Sequence, residues 1–208
     1  VNALLKVSSW IDAISEWVGK IIIWLVLACV LISAANAIVR RAFNYSSNAY
    51  LEIQWYLFAA VFLLGAGYVL LKNAHVRIDF VASRLSLRTN AIIDILGILL
   101  FVLPFCVLMI DLAWPLFANA WQTGQRSANA GGLIRWPVLL MIPAGFALLL
   151  VQCLSELIKR IAFLTGHRDE PYSVEWHEKS DEEKLAEELL QEAAEREAAK
   201  ATAAGGAR

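Results

Sequence analysis

Charge is scarce in this 208-residue chain: 18% of its residues are Asp, Glu, Lys or Arg and 59% are hydrophobic, against about 25% and about 45–50% in soluble domains. That balance excludes a soluble single-domain enzyme as the frame for reading it. Cysteine is equally scarce. Cys29, Cys106 and Cys153 fall inside apolar runs without C-x-x-C spacing, which excludes a disulfide framework or zinc site and reads as free thiols packed among helices. The three histidines, His75, His167 and His177, all lie outside the long apolar runs, so an intramembrane haem bundle would lack axial ligands. No phosphate-binding G-x-x-x-x-G-K-[ST] loop and no G-x-S-x-G nucleophile elbow occurs. No catalytic, cofactor or metal residue is assigned, and no nucleic-acid partner.

What the chain does have is long apolar runs. Crossing a hydrocarbon layer of about 30 Å takes about 20 apolar residues, and four runs qualify: 18–39, 51–71, 91–113 and 137–158. Lipid offers exposed backbone no hydrogen-bond partner, so these runs should be helices. The expected fold is all-α: an integral membrane four-helix protein with interfacial amphipathic helices and a charged C-terminal helix. Its parts are an N-terminal interfacial amphipathic segment at 1–17, a four-span membrane domain at 18–160 and a cytoplasmic acidic tail at 161–208. A cleaved signal peptide competes for the first run, since Ala35-Asn36-Ala37 has the A-x-A form. The run is too long for a signal core, Asp12 and Glu16 sit where a basic region belongs, and Arg40-Arg41 follows, so it reads as a retained span.

Charge is unevenly distributed. Residues 1–168 carry 13 Lys+Arg and 7 Asp+Glu, whereas residues 169–208 carry 5 and 12. Basic residues in short connections resist translocation. Lys6, Lys20, Lys72, Arg77, Arg84, Arg88, Lys159, Arg160 and Arg168 would share one side, against Arg40, Arg41, Arg126 and Arg135 on the other, which places both termini in the cytoplasm. Trp114, Trp121 and Trp136 flank the outer ends of the third and fourth spans, and Trp10 and Trp17 mark the inner side, as interfacial indoles do.

Residues 3–18 carry Leu4, Val7, Ile11, Ile14 and Val18 on one stripe opposite Lys6, Ser9, Asp12 and Glu16, the pattern of a surface-lying helix. An uninterrupted extension of the first span fits the same residues. After the second span, Val76 with Phe80 and Val81 with Leu85 suggest a short in-plane helix, with Arg84 and Arg88 as lipid headgroup contacts. Ser180-Asp181-Glu182-Glu183 opens a Glu- and Ala-rich helical tail with only Leu185 and Leu189 as an apolar stripe. Its reading is a solvated helix, with docking as the alternative.

Ionisable groups deep in a membrane are costly and point to function. The central thirds of the four runs (25–32, 58–65, 99–105 and 145–151) contain none. Glu52, Asp94, Asp111 and Glu156 are expected near helix ends, within reach of water or headgroups. Ser33 with Ala37, Gly65-Ala66-Gly67 and Ala144-Gly145 are candidate packing positions. Pro104 and Pro143 should kink or loosen their spans. Glu52 falls in the first turn of the second span, where a carboxylate complements the positive helix end or contacts another subunit. His75 and Asp79 share a side whether the segment is extended or helical.

Glu52-Ile53-Gln54-Trp55, Gly65-Ala66-Gly67, His75-Val76-Arg77-Ile78-Asp79, Trp136-Pro137 and Ile142-Pro143-Ala144-Gly145-Phe146 occur in that order. The pattern resembles the small membrane subunit of tripartite ATP-independent periplasmic (TRAP) transporters, the DctQ-like family, over about residues 15–160. The acidic tail lies outside that pattern. The resemblance implies a multi-pass protein of the bacterial inner membrane that works with a large integral membrane permease subunit and a periplasmic substrate-binding protein. By the same resemblance the large subunit binds substrate and sodium and moves in an elevator fashion, while the small subunit is a non-catalytic scaffold in uptake of an organic solute such as a carboxylate. Glu52, Trp55, His75, Arg77 and Asp79 are then interface or fold-fixing residues. The alternatives are a self-contained homo-oligomeric channel or small transporter, and a membrane adaptor acting through its acidic tail.

Overall fold

The structure, a computed structural model, describes residues 2–45, 47–73, 85–129, 131–171 and Leu189. Five helices make up the described part: α1 (Asn2–Phe43), α2 (Asn48–Leu71), α3 (Leu87–Gly97), α4 (Leu103–Thr123) and α5 (Trp136–Leu164). A π-helical turn, Ile98–Val102, joins α3 to α4 as one continuous rod. Four helical rods are therefore long and apolar enough to cross a membrane. Residues 175–208 form a separate unit, of which Leu189 alone is described, as helical and exposed. The charged helix expected at 181–200 otherwise lies outside the described residues, as does most of the in-plane helix after the second span.

The helices overrun the apolar runs because their caps lie further out. Ser47 accepts a hydrogen bond from the Ala49 N–H at 3.3 Å to start α2, and Ser86 accepts from the Thr89 N–H at 3.2 Å to start α3. Gly124, at φ 59°, ends α4 in the left-handed conformation that glycine adopts without cost. At 42 residues α1 is about 63 Å long, and no break separates residues 2–17 from the first span.

Packing reverses the pattern of a soluble bundle. On α1 the covered seam runs through Ser8, Ser15, Ile22, Cys29 and Asn36 in steps of seven, interleaved with Ile11, Val18, Leu25, Ile32 and Val39, a heptad spacing. The apolar stripe of residues 3–18 divides: Leu4, Val7 and Ile14 face outward and Ile11 and Val18 join the seam, where Ser8, Ser15 and Gly19 are buried. In lipid this costs nothing, because acyl chains solvate leucine as well as protein does and small residues let backbones approach. Ser33 and Ala37, in contrast to their expected packing role, are exposed.

α5 is central, packing on α1, α2 and α4, while α1 also packs on α2. Gly145 brings two helix backbones together: a Cβ there would come within 2.6 Å of the Leu63 carbonyl oxygen. The third rod leans on α5 through Ala91, Ile98, Cys106, Ala113 and Ala120, all buried. These residues recur every seven positions except between Ile98 and Cys106, where the step is eight. The π turn supplies the extra residue: the Leu103 N–H bonds the Ile98 carbonyl, five residues back. Pro104 follows immediately and has no N–H to continue an α-helical ladder. The wider turn thus absorbs the proline and keeps one face of the rod on α5.

Candidate functional site

Two polar clusters tie the helices together, one at each end of the bundle. At the end where α1 begins, α5 presents Gln152, Ser155, Glu156, Lys159 and Arg160, all at most 2% exposed. Their spacing puts them on one helix face. The Asp12 carboxylate of α1 accepts from Ser155 Oγ at 2.8 Å, Gln152 Nε2 at 3.0 Å and Lys159 Nζ at 3.0 Å. Ser15 donates to Gln152 Oε1 at 2.7 Å, and the Ser8 and Ser155 hydroxyls are 2.7 Å apart. Lys159 also pairs with Glu156, Glu156 with Arg160, and Arg160 Nε with Asp94 of α3 at 3.1 Å. A relay of alternating charge therefore runs from α1 through α5 to α3.

Buried charges cost several kcal/mol each unless paired and hydrogen-bonded. Here each carboxylate has a cation and each cation two carboxylates, which is what makes burial tolerable. Glu156 thus does not reach water or headgroups as expected from its position near a helix end but is held inside, whereas the Asp94 side chain stays 19% exposed while it pairs with Arg160. Beside this relay, Lys72 pairs with Glu16 at 2.9 Å on the exposed side of α1 and α2. The hydrogen bond to Glu16 raises the Lys72 ammonium above its ordinary lysine value.

At the opposite end Glu52 is buried and organises the connection between α4 and α5. Its carboxylate accepts from Ser127 Oγ, from Asn129 Nδ2 at 2.8 Å and from the Leu133 N–H at 2.7 Å. The loop is a small hairpin, with the Ser127 N–H on the Leu133 carbonyl and the Arg135 N–H on the Gln125 carbonyl, both at 2.9 Å. It turns through Gly131 at φ 72°. Tyr56 donates to the Ile134 carbonyl at 3.2 Å. Glu52, Trp55, Tyr56, Asn129, Arg135 and Val138 line a shallow groove of about 400 Å³.

Of the residues singled out from sequence, Glu52 is enclosed by its own chain, Trp55 is 64% exposed and Arg88 lies exposed in the first turn of α3. His75, Arg77, Asp79 and Arg84 fall outside the described residues. Asp111 was expected near a helix end but has twelve more helical residues beyond it, to Thr123. Among the described residues, no group of three or more His, Cys, Asp or Glu side chains could hold a metal. Sequence reasoning missed the relay, although polar residues at 152, 155, 156, 159 and 160 in an apolar helix were a visible signal.

A family model described as tripartite ATP-independent periplasmic transporters, DctQ component, matches residues 29–163. The chain belongs to this family. It is the small membrane subunit of a TRAP transporter and a multi-pass membrane protein. The match takes in the Glu52 cluster and the α3 and α5 sides of the relay; the Ser8, Asp12 and Ser15 side precedes it. Comparison with curated proteins and with solved structures returns no significant match.

Proposed function

We propose that this TRAP small subunit is a non-catalytic scaffold in a sodium-coupled importer of an organic solute of the carboxylate class. It sits in the bacterial inner membrane with both termini cytoplasmic, as the nine-to-four distribution of basic residues favours. Its partners are a large permease subunit, which binds sodium and solute and slides as an elevator, and a periplasmic substrate-binding protein. The observation that carries this reading is the placement of buried polar chemistry. Polar and charged buried residues occupy the two ends of the bundle, bonded helix to helix at one and helix to loop at the other, whereas the buried residues between them include Ala60, Gly65, Gly67, Cys106, Pro143 and Gly145. Such a middle layer offers nothing to replace a charged solute's hydration shell. The ties at both ends suit a body that holds still while its partner moves.

Reconstitution tests this. Vesicles holding both membrane subunits, with binding protein and a sodium gradient, should accumulate solute, and vesicles holding this chain alone should not. Uptake by the chain alone would overturn the scaffold reading in favour of a homo-oligomeric channel.

A further inference from the structure

One carboxylate lies inside the hydrocarbon layer with no hydrogen-bond or ion-pair partner among the described residues: Asp111 of α4, exposed on the side of the rod. Its depth follows from helix contacts. Phe105 meets Phe146 edge to face, ring centroids 5.5 Å apart, and Phe146 stands ten residues from both Trp136 and Glu156, midway along the span of α5. Asp111 is six residues beyond Phe105, about 9 Å from the mid-level at about 1.5 Å per residue. The hydrocarbon half-thickness is about 15 Å, so the carboxylate sits about 6 Å below the surface. A lysine at such a depth could carry its ammonium outward on its four-carbon stem. An aspartate has no such reach.

A second acceptor lies at the same place. Pro115 has no N–H, so the carbonyl of Asp111, four residues earlier, loses its helical donor. Val107, Ile110, Trp114 and Pro115 surround the carboxylate in an open groove of about 590 Å³. Val107 and Trp114 are 57% and 56% exposed. The site is thus a negative group with apolar walls on a helical rod that leans on α5 and, among the described residues, leaves its Asp111 side exposed.

We propose that Asp111 anchors a cationic side chain, Arg or Lys, on a transmembrane helix of the large permease subunit, which seats in the Val107–Trp114 groove. This rests on the small-subunit reading above. Charge complementarity selects the occupant: acyl chains present no donor at this depth, and a lipid amine headgroup stays at the interface above it. A partner helix supplies both a cation and an apolar surface for the walls.

The test uses the full transporter expressed in membranes. A photo-crosslinking amino acid in place of Trp114 should yield an adduct with the large subunit. Asp111→Lys should lower large-subunit recovery on co-purification at least tenfold, and Asp111→Asn, which preserves shape, several-fold. The thermal midpoint of the isolated small subunit should remain within a few degrees for Asp111→Asn. Adducts to lipid alone at Trp114, or wild-type recovery with both Asp111 variants, would overturn the proposal while leaving the small-subunit reading intact. If the wild-type chain itself brings down no large membrane subunit, the small-subunit reading fails and this inference with it.

Discussion

The two ends of the bundle solve the same problem with different chemistry. At the α1-start end the ties are formal charges on three helices, those of α5 buried and all of them paired with each other. At the Glu52 end a single carboxylate meets two neutral side-chain donors and one backbone N–H, all from one loop. The first arrangement fixes helices against helices; the second fixes a loop against a helix. Loss of a member should therefore act globally at one end and locally at the other.

The sharpest way to break this comparison is Glu156→Leu, which takes a carboxylate from both Lys159 and Arg160. Lys159 keeps Asp12 and Arg160 keeps Asp94, so each buried cation loses half of its compensation, and thermal or denaturant unfolding in detergent should show a loss near the lower end of the about 3–5 kcal/mol that a fully stranded charge costs. A near-neutral result would mean that the relay is wet and weakly coupled. Next is Gly145→Val in the middle layer, where the added carbons meet the Leu63 carbonyl. Overpacking of this kind costs about 1–3 kcal/mol, and disulfide trapping between α2 and α5 should report their separation.

Glu52→Gln should leave the unfolding midpoint nearly unchanged and raise hydrogen exchange at the Leu133 amide at least tenfold, with protease cutting confined to 124–135. A global loss as large as that of Glu156→Leu would erase the distinction between the ends. The smallest effect belongs to the exposed Lys72–Glu16 pair, with side chains 36% and 49% exposed. Exposed pairs contribute about 0.2–1 kcal/mol, so a double-mutant cycle on it should return a coupling below about 1 kcal/mol that shrinks with added salt.

Much of the architecture was legible in the residues. The second run, read as 51–71, became Asn48–Leu71, and the fourth, read as 137–158, became Trp136–Leu164. The first and third grew most, to Asn2–Phe43 and Leu87–Thr123. Hydropathy marks where lipid touches a helix, whereas hydrogen bonding and caps such as Ser86 and Gly124 mark where it stops. The site was less legible. Glu52 stood out, but Ser127, Asn129 and Leu133 are more than 70 residues away, and nothing local pairs them. Asp111 seemed near a helix end because the apolar run stops at 113, while the helix itself continues.

The sequence by itself determined the number of spans, their helical character and the family, because lipid tolerates only hydrogen-bonded backbone and makes long apolar runs unambiguous. Only the tertiary structure decided which side of each helix faces inward. Hydrophobicity cannot choose between lipid and protein as neighbours, so the choice fell to polar residues seeking partners across helices. In this chain the inside of the bundle is marked by serine, glycine and paired charge, and its surface by leucine and tryptophan.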